Sequence, residues 1–307
     1  MNLVRLDLNL LVSLDVLLQE RSVTNAAAKL GLSQPAVSAQ LARLRRHFQD
    51  ELLARMGNQY RLTPLALQLK DQVRITLGGV ERIFAAEPGF DPSSSTREFS
   101  MLVSDYSVAV LGSRIGAILA AEAPGCRLRL TASTPRLIDI VEQVLVSTDL
   151  VLMPRGFLDN LSYRDLYRDE WVCLVSADNV EVGDALTVRQ LETMPWVATY
   201  YSPTASTPAA RHMRMLGIEP HVQVVTEHFL TVPSLVAGTG RVALYQQLLV
   251  DLIPETLRVR ALPCPFPAGP LLEAMWWHPL HDEDPEHRYL REVVVRAVAD
   301  LALPANI

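Results

Sequence analysis

Cysteine is scarce in this chain of 307 residues: there are three, Cys126, Cys173 and Cys264, far apart and odd in number. No pair has zinc-binding or dithiol redox spacing, so the expectation is free thiols in a reducing compartment. Long hydrophobic runs are missing too. The longest uncharged stretch, Thr193 to Ala210, holds three prolines and many hydroxyls, which excludes a membrane helix there. The opening MNLVRLDLNLLVSL carries Asp7 inside its apolar part and has no small-residue cleavage site. It is a poor signal peptide, and a cytoplasmic protein without a membrane partner is expected. GxSxG, P-loop, HExxH and GxGxxG patterns are absent, which removes the usual sequence warrants for an enzyme. The one metal-like cluster is His278 and His281 with Asp282–Asp284 behind them. Pro279 and Pro285 suit a turn, so it reads as a solvated loop; no metal and no other cofactor is expected.

What is there describes a soluble globular chain, 49% hydrophobic and 20% charged, long enough for two or three domains' worth of core. The net charge of −6 argues against a nucleic-acid partner only as an average. Residues 1–62 hold eight Lys/Arg against five Asp/Glu, and the remainder holds twenty against twenty-nine. A basic head on an acidic body fits phosphate contact at one end.

Apolar residues at helical spacing open the chain with a helix. Ser22 then suits an N-cap for a short helix through Leu30, and Gly31 suits its left-handed C-terminus. Ser33 caps a third helix, with Pro35 in the first turn and Val37, Leu41, Leu44 and Phe48 as its buried stripe. Gly57-Asn58 reads as the turn of a short hairpin. Thr63 and Pro64 start a helix to about Ala86. Its Ala66, Leu69, Val73, Thr76, Val80 and Ile83 form a heptad seam that either packs on its own domain or, as favoured here, pairs with a second copy. Glu87 to Thr96 is a linker. Beyond it, strands are expected at 98–103, 127–132, 150–153, 170–176, 196–201, 222–226, 242–245 and 273–277. Helices fall between most of them, at 108–121, 136–147, 208–216 and 230–239, with a last one at 286–303. That alternation implies two parallel sheets with crossover helices, the chain crossing between them near 167–170 and 263–270.

The decisive stretch is Ser22 to Arg46. A helix, a tight glycine turn and a second helix with a polar outer face make a DNA-binding helix-turn-helix. Gln34, Ser38, Gln40 and Arg43 form that face, and Gln and Arg suit bidentate bonds to purine edges. Ser33, Gln34 and Pro35 start the helix, whose free N–H groups suit a phosphate. Arg45, Arg46, Arg55 and Arg61 are expected to flank the helix and meet the DNA backbone.

The segment closely resembles the N-terminal signature of the LysR-type transcription regulators. The likeness rests on Ala27, Ala28, Leu30, Ser33, Gln34, Pro35, Ala36, Val37, Ser38, Gln40 and Leu44, followed by a wing and a threonine-led linker helix. It is specific over residues 1–86 and looser over 97–307. The chain departs at Arg45, where the family commonly has an acidic residue. Pro64–Ala66 follows the Thr-Pro-Leu-Ala form of a subgroup.

The resemblance implies an α/β fold overall: an all-α winged helix-turn-helix at 1–62, a long dimerisation helix and hinge at 63–96, then a two-lobed effector domain like the periplasmic binding proteins. Lobe one would be 97–168 with 268–307, and lobe two 169–267. A small-molecule effector, aromatic or carboxylate, would sit between the lobes. Promoter DNA, RNA polymerase and further copies of the chain, as dimer or tetramer, would be the partners. Strand ends and helix starts place the effector crevice at Ser104, Asp105 and Tyr106; Ser133, Thr134 and Pro135; Tyr201, Ser202, Pro203 and Thr204; and His228 and Phe229. Hydroxyls and helix-start amides suit a carboxylate, and the aromatic rings suit an aromatic body. Asp105 is awkward for an anion, and is read instead as a helix cap or as selecting a neutral or cationic ligand. The rival readings are an enzyme and a DNA-binding protein with no ligand.

Overall fold

The computed structural model describes residues 7, 9–56, 59–84, 90–159, 161–201, 206–299 and 301. The chain divides into two compact units, Met1–Pro88 and Gly89–Ile307.

The first unit comprises α1 (Asn9–Glu20), α2 (Val23–Leu30), α3 (Gln34–Phe48), the strands β1 (Leu53–Met56) and β2 (Gln59–Leu62), and α4 (Pro64–Phe84). Leu14, Leu17 and Leu18 of α1 meet Ala26, Val37, Leu41 and Leu44 in one buried cluster. The alanines let α1 and α2 approach closely, and the i, i+4, i+7 spacing on α3 turns one stripe inward. The cluster also takes in Ala66 and Val73 of α4, with Leu69 and Leu77 packed against it. This corrects the heptad reading. Val73 is 4% exposed inside its own unit, so the first half of the seam is covered by α1. Thr76 is exposed and Val80 half-buried; the side chain of Ile83 lies outside the described residues.

The second unit runs β3 (Glu98–Val103), α5 (Asp105–Ser107), a π-helical turn at Val108–Gly112, α6 (Ser113–Glu122), β4 (Arg127–Ala132), α7 (Pro135–Ile138), α8 (Val141–Val144), β5 (Leu150–Pro154) and β6 (Ser162–Asp169). It continues with β7 (Trp171–Ser176), α9 (Val188–Thr193), β8 (Pro195–Thr199), α10 (Pro208–Met215), β9 (His221–Thr226), α11 (Val232–Val236), β10 (Val242–Gln246), β11 (Val259–Pro263), β12 (Leu271–Trp277) and α12 (Pro285–Ala299). One sheet has the order β4-β3-β5-β12-β6 and the other β11-β7-β10-β8-β9. The near-continuous apolar runs of β5 and β7 are buried along their length, as central strands covered on both faces must be.

Both sheets are mixed rather than parallel. β12 runs antiparallel to β5 and β6, and β7 antiparallel to β10 and β11. The antiparallel members are the strands that lead into and out of the two chain crossings, so the expected crossing places stand while the expected sheet type does not. The single helix expected at 136–147 is two separate turns, α7 and α8. The polar loop expected before α12 is only partly solvated. His281 is 6% exposed and stacks on the buried ring of His287, with centroids 4.9 Å apart. Burial drives the His287 imidazole down to about 4, partly opposed by its bond to the Asp149 carbonyl.

Candidate nucleic-acid interface and ligand cleft

The helix-turn-helix is built by local capping. The Ser22 hydroxyl accepts the N–H of Asn25 at 3.3 Å and opens α2. Gly31, at φ 65°, closes α2 in the left-handed conformation that glycine adopts without a Cβ clash. The Ser33 hydroxyl accepts the N–H of Ala36 at 3.4 Å and starts α3. With Val37, Leu41 and Leu44 buried, the opposite side of α3 faces water: Gln34, Pro35, Ser38, Arg43 and Arg46 are exposed.

Three of the expected contacts stand differently. Gln40 is half-buried and its Oε1 accepts the Ser13 hydroxyl at 2.9 Å, so it ties α3 to α1. Arg43 pairs with Asp7 at 3.2 Å in an exposed bridge, a contact that solvent and phosphate can exchange. Arg45 donates to the carbonyls of Glu51 and Leu53, at 2.8 and 3.0 Å, and so holds the start of the hairpin instead of facing outward. Arg61 is exposed, and the side chain of Arg55 lies outside the described residues.

A cleft lies between the two sheets of the second unit, with about 540 Å³ of empty space that includes the open solvent at its mouth. Ser104, Tyr106, Ser133 and Phe229 line it. Asp105, Thr134, Pro135, Tyr201 and His228, expected there, are not in its lining. Thr134 caps α7 by accepting the N–H of Leu137, and Pro135 follows it in that turn. His228 is exposed. Pro203 and Thr204, with Ser202, lie outside the described residues. Tyr201 is replaced by its neighbour. Tyr200, at φ 55°, turns its ring into the cleft, where its hydroxyl donates to the Ser133 carbonyl of the other lobe at 3.2 Å. Tyr201 remains 46% exposed.

Asp105 answers the question its charge raised. Its carboxylate accepts the N–H of Tyr106 at 3.0 Å and, across the cleft, those of Phe229 at 3.0 Å and Leu230 at 2.9 Å. The helix-start amides that would have suited an anionic ligand are already taken by a carboxylate of the protein itself.

Sequence reading missed the hinge end of the cleft. Trp171, Gln246 and Glu273 line it, and each is at most 5% exposed. Trp171 and Gln246 are cross-strand partners on β7 and β10, and Glu273 faces Tyr167 across β12 and β6. Below them the Tyr106 hydroxyl donates to Asp169 at 2.8 Å, and the Ser107 hydroxyl donates to Glu273 Oε1 at 3.0 Å. Burial pushes the Glu273 carboxyl up to about 8; the Ser107 bond opposes this and the Asp169 charge adds to it. Burial likewise raises Asp169, against bonds from Tyr106 and from the Glu170 and Leu248 amides. No lysine, arginine or histidine lines the cleft among the described residues, and no three His, Cys, Asp or Glu side chains gather there as a metal site.

Comparison with known proteins adds to this geometry. A family model described as the bacterial regulatory helix-turn-helix protein, lysR family, matches residues 8–67, and one described as the LysR substrate binding domain matches residues 95–299. Nodulation protein D 2 of Rhizobium tropici is 32% identical over 303 residues, covering 97% of this chain and 95% of the relative. Nodulation protein D 2 of Rhizobium leguminosarum bv. phaseoli is 35% identical over 294 residues, covering 94% and 91%. The crystal structure of a probable transcriptional regulator from Pseudomonas aeruginosa matches with a TM-score of 0.70 at 26% identity, covering 95% of this chain and 97% of that one.

Proposed function

This chain belongs to the LysR family of bacterial transcription regulators, and from that premise we propose that a small molecule taken up between its lobes governs how paired helix-turn-helix heads hold promoter DNA. It is a DNA-binding regulator with an effector-binding domain. The observation that carries the finer reading is the outward polar side of α3: Gln34, Ser38, Arg43 and Arg46 stand in water beside a capped helix start, on the face opposite the buried stripe. Gln34 and Arg43 suit base edges, while Ser33, Pro35, Ser38, Arg46, Arg55 and Arg61 suit the backbone. Gln40 acts by positioning α3.

Effector binding favours one arrangement of the lobes, and that bias changes the spacing of the heads and the bend of the promoter. Pairing runs along the later half of α4, at Thr76, Val80 and Ile83, and the assembly is a dimer or tetramer. Output passes through RNA polymerase, and the chain acts by binding rather than by catalysis. Among the described residues no helix is long and apolar enough to cross a membrane.

Genome-wide mapping of bound DNA supplies the operator for the test. The double substitution Gln34→Ala with Arg43→Ala is expected to weaken operator binding by about 1–3 kcal/mol per lost base contact, with the melting temperature unchanged. Equal operator affinity of variant and wild type in fluorescence anisotropy overturns the assigned face.

A further inference from the structure

Three polar atoms around the hinge end of the interlobe cleft have no hydrogen-bond partner among the described residues: Trp171 Nε1, Gln246 Oε1 and Glu273 Oε2. Each belongs to a cleft-lining residue. A buried polar atom left unpaired costs about 1–3 kcal/mol, and folded proteins leave few of them. These three residues form a polar floor in a lining that is otherwise mostly apolar, and Tyr106, Tyr200 and Phe229 line the same cleft. The floor has a definite electrostatic character. Its acid is fully buried, the charge of a second carboxylate, Asp169, acts on it, and among the described residues no cation lines the cleft to balance either. The amide pair at Phe229 and Leu230 is closed to an incoming anion by Asp105.

We propose that Trp171, Gln246 and Glu273 form the specificity-determining floor of the effector site, with Glu273 engaging the ligand as a neutral acid, so that the cleft takes an uncharged aromatic molecule bearing a carbonyl or hydroxyl edge and rejects the matching carboxylate. The inference rests on the cleft being the effector site. Indole N–H and protonated carboxyl both donate, which suits a ligand carbonyl or hydroxyl oxygen. Gln246 Oε1 accepts, which suits a ligand N–H or O–H. A ligand carboxylate would lose its water with no cation beside it among the described residues, and would meet the Asp169 charge in a low-dielectric space.

The test uses the full chain and matched neutral and anionic probes: benzamide with benzoate, cinnamamide with cinnamate, and 2-naphthamide with 2-naphthoate, followed by isothermal calorimetry and ligand-observed NMR. The amide of at least one pair is expected to bind about tenfold or more tightly than its acid, and Ser133→Trp, which fills the cleft, is expected to abolish binding. Raising the pH from about 6.5 to about 9.5 should weaken amide binding about tenfold or more as Glu273 loses its proton, and Glu273→Gln should flatten that profile while keeping the amide preference. The other titrating groups facing Glu273 are Tyr106 of α5 and Tyr167 and Asp169 of β6. Tyr106→Phe and Asp169→Asn are expected to leave a profile of the same form. Acids binding as well as amides, no amide binding at all, or a Glu273→Gln profile like wild type overturns the floor. If binding survives Ser133→Trp unchanged, the cleft reading itself falls.

Discussion

In residues 1–88 the polar groups assigned to a partner stand in water, whereas in residues 89–307 they are shut away from it. Gln34 and Ser38 are exposed on a helix whose hydrogen bonds are complete without them. Trp171, Gln246 and Glu273 are buried and incomplete. A polymer partner brings its own surface to the protein, so its reader needs only exposure, spacing and mild positive charge. A small ligand has to be enclosed, so its site holds unsatisfied groups in a dry place and loses stability until the ligand arrives.

The widest gap between the two regions should appear on cutting the bridge inside the second. Asp105→Ala removes two charge-assisted bonds to the Phe229 and Leu230 amides, and a loss of about 3 kcal/mol is expected in urea unfolding. Hydrogen exchange should speed at those two amides; unaltered protection there would mean that Asp105 does not hold the lobes together. Next comes Glu273. The folded carboxyl keeps its proton up to about 8, against an ordinary value of 4.5. The folded state therefore binds the extra proton, and stability falls as pH rises from about 4.5 to about 8. Glu273→Gln lacks that slope and should gain on wild type, by on the order of 2 kcal/mol at about pH 6 and by nothing near pH 4. A constant difference across the range would count against the buried acid. The smallest contrast lies within the head. Ser33→Ala should cost about 1 kcal/mol through the lost cap of α3, whereas Gln34→Ala, one residue on, should leave the denaturation midpoint where it is and weaken operator binding only.

The head was legible because its information is local. Caps, a glycine turn and a stripe at i, i+4 and i+7 are written within 25 consecutive residues, and the hydrogen bonds at Ser22, Ser33 and Gly31 follow them directly. The strands expected at 98–103 and 127–132 appear with those bounds. β6 and β11 are not legible as strands because charged residues and a proline hide their alternation: β6 reads SYRDLYRD and β11 reads VRALP. The cleft floor was invisible for a different reason. Trp171, Gln246 and Glu273 look like ordinary strand residues, and only the pairing of distant strands brings them to one lining. Cys173 and Cys264 make the same point: free thiols 91 positions apart stand with sulfurs at 3.7 Å.

The lobe bounded by the two chain crossings is a guest in its host. Asp169 and Leu271, the last residue before it and the first after it, are neighbours in register on β6 and β12, and just inside it Val172 and Pro263 pair again on β7 and β11. Departure and return thus lie side by side as a two-stranded ribbon. Excising residues 171–269 and resealing the host with a tight turn would need no rearrangement of the sheet that remains.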